Sequence, residues 1–95
     1  MVKNKHYFFY VLFCADGTLY GGFTTDLKRR LEQHNSGRGA KYTRVRKPVK
    51  MIYHEEFDSK SLALKAEYAF KHQPRSKKES FLSAHGVDLE SIKKN

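Results

Sequence analysis

The sequence holds a single cysteine, Cys14, which excludes an internal disulfide and any cysteine-based zinc site. No apolar run approaches the ~20 residues that a membrane-spanning helix needs. The apolar stretch that follows the basic start, Tyr7 to Phe13, is too short for the h-region of a signal peptide, and no small-residue cleavage site follows it. Repeats and low-complexity linkers are missing. So are several catalytic signatures. His6, His34, His54, His72 and His85 show no His-Glu-x-x-His or Cys/His spacing, so zinc is not expected. There is no Gly-x-Ser-x-Gly elbow and no phosphate-binding loop of the Gly-x-x-x-x-Gly-Lys type. Together these absences lead to the expectation of a small, soluble, reduced, cytoplasmic domain.

What is present is aromatic and basic. The 95 residues are 39% hydrophobic and 14% aromatic, enough for one packed core and too few for a second domain. We expect one domain over residues 1–86 and a loosely held tail over 87–95. The formal net charge is +9 and it is unevenly placed. Between Asp26 and Lys50 lie Lys28, Arg29, Arg30, Arg38, Lys41, Arg44, Arg46, Lys47 and Lys50, opposed only by Asp26 and Glu32. Such a segment attracts anions, and phosphate backbone is the usual target. Gly37, Gly39, Tyr42 and Thr43 are interleaved with these charges. Small residues permit close backbone approach, and an aromatic ring can stack on a base. The plainer alternative is a solvated basic surface. A membrane surface is not expected, because the cations do not line one face of an amphipathic helix.

Tyr7 to Phe13 is dense in β-formers and predicts a buried strand. Asp16-Gly17 supplies a hairpin turn, and Leu19 to Thr24 predicts the returning strand. The paired Gly21 and Gly22 weaken that strand and imply that something approaches its backbone. Thr24, Thr25 and Asp26 are candidate N-caps for a helix carrying Leu27, Leu31 and His34 on one stripe and ending at Asn35-Ser36-Gly37. Arg38 to Lys47 has no apolar period and is expected as a loop. Val49 to Phe57 predicts a third strand. Asp58, Ser59 and Ser61 can cap a second long helix with Leu62, Ala63, Ala66, Ala69 and Phe70 as its apolar face, stopped by Pro74. A shorter helix opens at Ser76, runs through Phe81 and Leu82 and closes at Gly86. The order β-β-α-β-α-α predicts an α+β domain, a three-stranded antiparallel sheet flanked by helices.

Three groups of residues can carry chemistry. Tyr10 and Tyr20 lie on the two hairpin strands, where they could be near neighbours across the ladder; simple aromatic packing is the alternative. On a helical wheel Arg30 lies about 60° from Leu27 and Arg29 about 160° away, so Arg29 faces solvent and Arg30 borders the buried stripe. His34 is one turn beyond Arg30 on the same face. A guanidinium there suits two phosphate oxygens, or else it merely snorkels over the core edge. Glu67 lies about 40° from Ala63 and 60° from Phe70, at the border of the second long helix's apolar face. It is a salt-bridge partner or a metal ligand, since Mg²⁺ in phosphoryl chemistry often takes only one or two carboxylates.

Taken together, from about Tyr7 to Leu82, these residues resemble the GIY-YIG nuclease superfamily. Phe8-Phe9-Tyr10 stands at the first signature triplet and Tyr20-Gly21-Gly22 at the second. Arg30, in Asp26-Leu27-Lys28-Arg29-Arg30-Leu31, stands at the catalytic arginine, with His34-Asn35 following. Glu67, in Lys65-Ala66-Glu67-Tyr68-Ala69, stands at the metal-binding glutamate. Cys14 to Tyr20 together with Gly39-Ala40-Lys41-Tyr42-Thr43-Arg44 looks like a small, stand-alone bacterial subfamily. The chain departs from the pattern in lacking Gly and Ile in the first triplet and Ile in the second. It also has Phe23 where some relatives carry Lys, and no match to the Asn that several relatives carry after the glutamate. The resemblance implies hydrolysis of a phosphodiester with one divalent metal, Mg²⁺ or Mn²⁺, held by Glu67. Arg30 would clamp a non-bridging oxygen. Tyr10 would activate water, with Tyr20 and His34 orienting it, and His34 is the rival base. Arg38, Lys41, Tyr42, Arg44, Arg46 and Lys47 would bind nucleic acid, most simply DNA in repair or recombination. With no appended recognition domain expected, specificity would come from charge, nucleic-acid shape or a partner protein. The alternatives are a non-catalytic DNA- or RNA-binding module of the same fold and, more distantly, a protein-interaction adaptor.

Overall fold

The computed structural model describes residues 6–93; residues 1–5 of the expected domain and 94–95 of the expected tail lie outside it. The elements run β1 (Tyr7–Phe13), β2 (Leu19–Thr24), α1 (Leu27–Asn35), α2 (Lys41–Arg44), β3 (Lys50–Phe57), α3 (Lys60–Lys71), α4 (Arg75–Ala84) and α5 (Leu89–Lys93). The strands form one antiparallel sheet in the order β2-β1-β3. This is the expected three-stranded α+β arrangement, with two short helices added. Among the described residues no helix is long and apolar enough to cross a membrane.

β1 is the central strand, and both of its faces are covered, which is why it reads as an unbroken apolar run rather than an alternation. Phe9 and Val11 point to one side and pack with Leu19, Phe70 and Leu82. Tyr10 and Leu12 point to the other, with Cys14 and Val49 and the partly buried Tyr20, Leu27, Leu31 and Met51. Helices α3 and α4 therefore cover the first face and α1 the second.

The local signals act where the sequence places them. Asp26 caps α1, its side chain accepting from the Arg29 N–H at 3.1 Å. Ser59 caps α3 through the Leu62 N–H at 3.1 Å. Gly17, Gly37 and Gly86 all have φ of 85°, the left-handed turn conformation that favours glycine.

Four expectations need correction. The basic stretch Arg38–Lys47 is not all loop. It contains α2, whose buried residue is Thr43; one turn with a polar inward residue leaves no apolar period to read. The segment after Gly86 is not loose, because α5 forms there and Val87 and Leu89 pack against the core. On α3, Ala63 and Phe70 are buried and Ala66 is partly so, while Leu62 and Ala69 are exposed. At 100° per residue those two lie about 80° and 100° from Phe70, off the packed stripe. Finally, the helix after Pro74 begins at Arg75, one residue before the expected Ser76.

Candidate active site

The site is built on the second face of β1. Tyr10 pairs directly with Gly22, and Tyr20 pairs with Leu12. The two tyrosines are thus diagonal neighbours on one face rather than directly opposed. Gly22 explains the glycine pair. A Cβ there would overlap the Tyr10 phenol, so the ring can lie across the strand only where a side chain is missing. Gly21 serves the opposite face, where a Cβ would stand 3.0 Å from the Phe70 ring.

Helix α1 brings two more groups to Tyr10. Arg30 Nε donates to the Tyr10 hydroxyl at 3.3 Å and Arg30 Nη1 donates to Gln33 Oε1 at 3.0 Å. His34, fully buried, places Nε2 2.8 Å from the Tyr10 hydroxyl and Nδ1 2.8 Å from Thr43 Oγ1. As expected, Arg29 is exposed and Arg30 is half-buried. The end of α1 is pinned by Asn35, whose amide donates to the Val49 carbonyl at 3.1 Å and accepts from the Val49 N–H at 2.7 Å. An open depression of about 290 Å³ beside Arg30, lined by Phe23, Thr24, Asp26, Arg29 and Gln33, gives a ligand access to the guanidinium.

Tyr20 joins from β2. Its ring lies edge-on to His34 at 5.5 Å and stacks on Tyr42 at 5.6 Å. Glu67 approaches from α3. Its side chain is 21% exposed, and its ion-pair partner is Lys71, with Nζ at 4.0 Å, the outer limit of such a pair. Lys71 Nζ also lies 5.8 Å over the Tyr20 ring.

The electrostatics bind these groups together. Burial pushes the Tyr10 phenol up to about 12, partly offset by the Arg30 hydrogen bond and charge and reinforced by Tyr20 and Glu67. Burial also raises Tyr20, with Arg30 opposing the rise and Glu67 adding to it. His34 is lowered to about 4, first by burial and then by the Arg30 charge. The resting cluster is therefore a protonated phenol and a neutral imidazole beside a guanidinium.

Glu67 suits a hard divalent cation that takes one carboxylate and completes its shell with water and phosphate oxygens. A cage made wholly of protein ligands does not suit this chain, because among the described residues no three His, Cys, Asp or Glu gather to hold an ion.

The basic segment divides. Arg46 is engaged: Nε donates to Asp16 Oδ2 at 3.0 Å, Nη1 donates to the Tyr42 carbonyl at 2.8 Å, and the guanidinium lies 4.0 Å over the Tyr42 ring. Tyr42 is thus occupied by Arg46 and Tyr20. Arg38, Lys41, Arg44 and Lys47 are exposed and form no ion pair among the described residues. Sequence reasoning named Thr43 only between the cations and Asn35 only beside His34, and it did not bring these two, Gln33 or Lys71 to the site. Thr43, Gln33 and Asn35 are neutral polar side chains with no period of their own, and Lys71 is an ordinary helix-terminal lysine in sequence.

Comparison with known proteins shows the family and the fold. Residues 6–80 match the family described as the GIY-YIG catalytic domain. A UPF0213 protein of Lactiplantibacillus plantarum is 66% identical, the match covering 90% of this chain and 86% of that one. A UPF0213 protein of Limosilactobacillus reuteri is 55% identical over 99% of this chain and 100% of its own. The solution structure of a UPF0213 protein from Bacillus halodurans superposes with a TM-score of 0.61 at 44% identity, covering 92% of this chain and 93% of that one. A protein from E. faecalis gives a TM-score of 0.60 at 53% identity, covering 90% and 91%.

Proposed function

The chain belongs to the GIY-YIG family, and from that premise we propose that it is a divalent-metal-dependent endonuclease hydrolysing phosphodiester bonds in DNA. The observation that carries the reading is the hydrogen-bonded chain from Arg30 through Tyr10 to His34, with Tyr20 and Glu67 coupled to it by charge. Structural roles alone do not call for four polar groups from three elements around one tyrosine.

Arg30 is already held at Tyr10 and Gln33, so its charge is presented to a non-bridging phosphate oxygen without reorganisation. Removing such a donor costs roughly 10²–10³-fold in rate. Tyr10 takes a proton from the attacking water while passing its own to His34 Nε2, so the phenolate, disfavoured at a pKa near 12, never has to persist. The phosphorus–oxygen bond to the leaving nucleotide breaks as the water oxygen bonds to phosphorus. An incoming phosphodiester also places negative charge against Arg30, which weakens the field that depresses His34 and raises its basicity when it is needed. Glu67 would hold Mg²⁺ or Mn²⁺, and a bound divalent ion supplies charge neutralisation at the scissile phosphate. Arg38, Lys41, Arg44 and Lys47 draw in the phosphate backbone; Tyr42 and Arg46 instead support Tyr20 from outside. A cytoplasmic protein acting in DNA repair or recombination is the proposed setting, with selectivity from charge and nucleic-acid shape or from a partner protein.

The test is cleavage. Purified protein with Mn²⁺ or Mg²⁺ should nick plasmid, single-stranded or branched DNA, and Arg30→Ala and Glu67→Ala should each abolish nicking while keeping a wild-type circular dichroism spectrum. Cleavage that persists in both variants sinks the assignment. The rival is a DNA- or RNA-binding module without turnover. It is favoured by the resting protonation of Tyr10 and His34, and it expects salt-sensitive binding with no cleavage of any DNA or RNA substrate.

A further inference from the structure

His34 is bonded at both ring nitrogens, to the Tyr10 hydroxyl and to Thr43 Oγ1. Thr43 Oγ1 donates its only proton to the Ala40 carbonyl at 3.0 Å. With that proton on the carbonyl, Oγ1 offers His34 Nδ1, 2.8 Å away, a lone pair that suits an Nδ1–H donor. Nε2 is then bare, and the Tyr10 hydroxyl 2.8 Å away must donate to it. The Tyr10 oxygen in turn accepts from Arg30 Nε. In this arrangement each group has a matching donor or acceptor, from the Ala40 carbonyl through Thr43, His34 and Tyr10 to Arg30.

We propose that Thr43 is a positioning residue that fixes His34 as its Nδ1–H tautomer and thereby keeps Nε2 open to the Tyr10 proton. Free imidazole side chains favour the opposite tautomer, with hydrogen on Nε2. That form would aim a donor at Tyr10 and block the transfer. Gly39 belongs to the same device. A Cβ there would stand 2.7 Å from His34 Cα and overlap the imidazole, so only glycine lets the chain close over the ring before turning into α2. The short helix α2 that carries Lys41 and Arg44 toward solvent therefore carries Thr43 on its inner side. The consequence for hydrolysis rests on the endonuclease reading; the tautomer itself does not.

The experiment measures both. Long-range ¹H–¹⁵N correlation on the full chain at neutral pH should show His34 with hydrogen on Nδ1 and a bare Nε2. Thr43→Val keeps the shape and removes the acceptor, so the Nε2–H form should appear. Thr43→Ser should restore the wild-type pattern. In cleavage assays with Mn²⁺, Thr43→Val should lower kcat on the order of 10–100-fold with KM little changed, and Thr43→Ser should recover it. Wild-type protein with hydrogen on Nε2 overturns the proposal, and that measurement stands even if Thr43→Val fails to fold. A folded Thr43→Val that keeps the Nδ1–H form overturns it too, as does a tautomer change with unaltered kcat. If wild-type protein cleaves nothing, the endonuclease reading falls while the tautomer still decides the role of Thr43.

Discussion

On one face of β1, Phe9 and Val11 meet Phe70, Leu82 and Leu19 with no polar atom among the side chains. On the other, Tyr10 meets Arg30 and His34, and His34 meets Thr43. Both faces are buried to the same extent at the strand itself, since Phe9, Tyr10, Val11 and Leu12 are all fully inaccessible. They differ in what burial does. On the apolar face it removes surface from water and stabilises the domain in proportion to area. On the polar face it desolvates groups that must then be matched bond for bond, and it shifts their proton affinities away from ordinary values. The first face tolerates any filling of the right volume. The second tolerates only the present pattern of donors and acceptors.

The sharpest way to break this comparison is to alter neighbouring residues of one strand. Phe9→Ala should cost about 3–5 kcal/mol of stability in denaturant unfolding, the usual toll for a buried aromatic. Tyr10→Phe on the opposite face keeps the ring and should cost only about 1–2 kcal/mol, for the His34 nitrogen left unpaired, while abolishing the proposed cleavage. Equal losses of stability would mean that the two faces are not distinct in kind. The next effect is in pH. The unfolded chain binds a proton at His34 near the ordinary 6.5, and the folded chain only near about 4. Protons therefore favour the unfolded state between those values, and stability should fall by about 1.4 kcal/mol per pH unit as pH drops through that window. His34→Gln should remove this slope from urea midpoints measured across the window; an unchanged slope would mean that the imidazole is not held neutral. The smallest effect divides the basic surface. Lys41→Ala and Arg44→Ala should each reduce the salt slope of DNA binding by roughly one. Arg46→Ala should leave the slope nearly unchanged, because its guanidinium is committed to Asp16 and Tyr42. The same salt titration on all three variants separates them.

The local elements, and the apolar face they build, were the legible part. The run from Tyr7 to Phe13, the Asp16-Gly17 turn, the Asp26 cap and the Ala63–Phe70 spacing each announce themselves within a few residues, because hydrophobic periodicity and capping are local codes. Of the polar face, Arg30, His34 and Glu67 could be picked out by their places on helical wheels and Tyr10 and Tyr20 by their hairpin strands, while the resemblance suggested their roles. Their bonding could not. Thr43 carries no period, α2 is too short to show one, and Arg46 reads like any other cation of its segment until Asp16 is seen beside it.

The amino-acid order by itself determined the strands, the main helices and the concentration of positive charge, since each depends on near neighbours along the chain. Only the tertiary structure decided that Tyr10 lies over Gly22, that Arg30 and His34 share its hydroxyl, and that Thr43 orients the imidazole. A hydrogen bond depends on distance and direction between atoms far apart in sequence. Those are set when the sheet and α1 close on each other, and no single segment contains them.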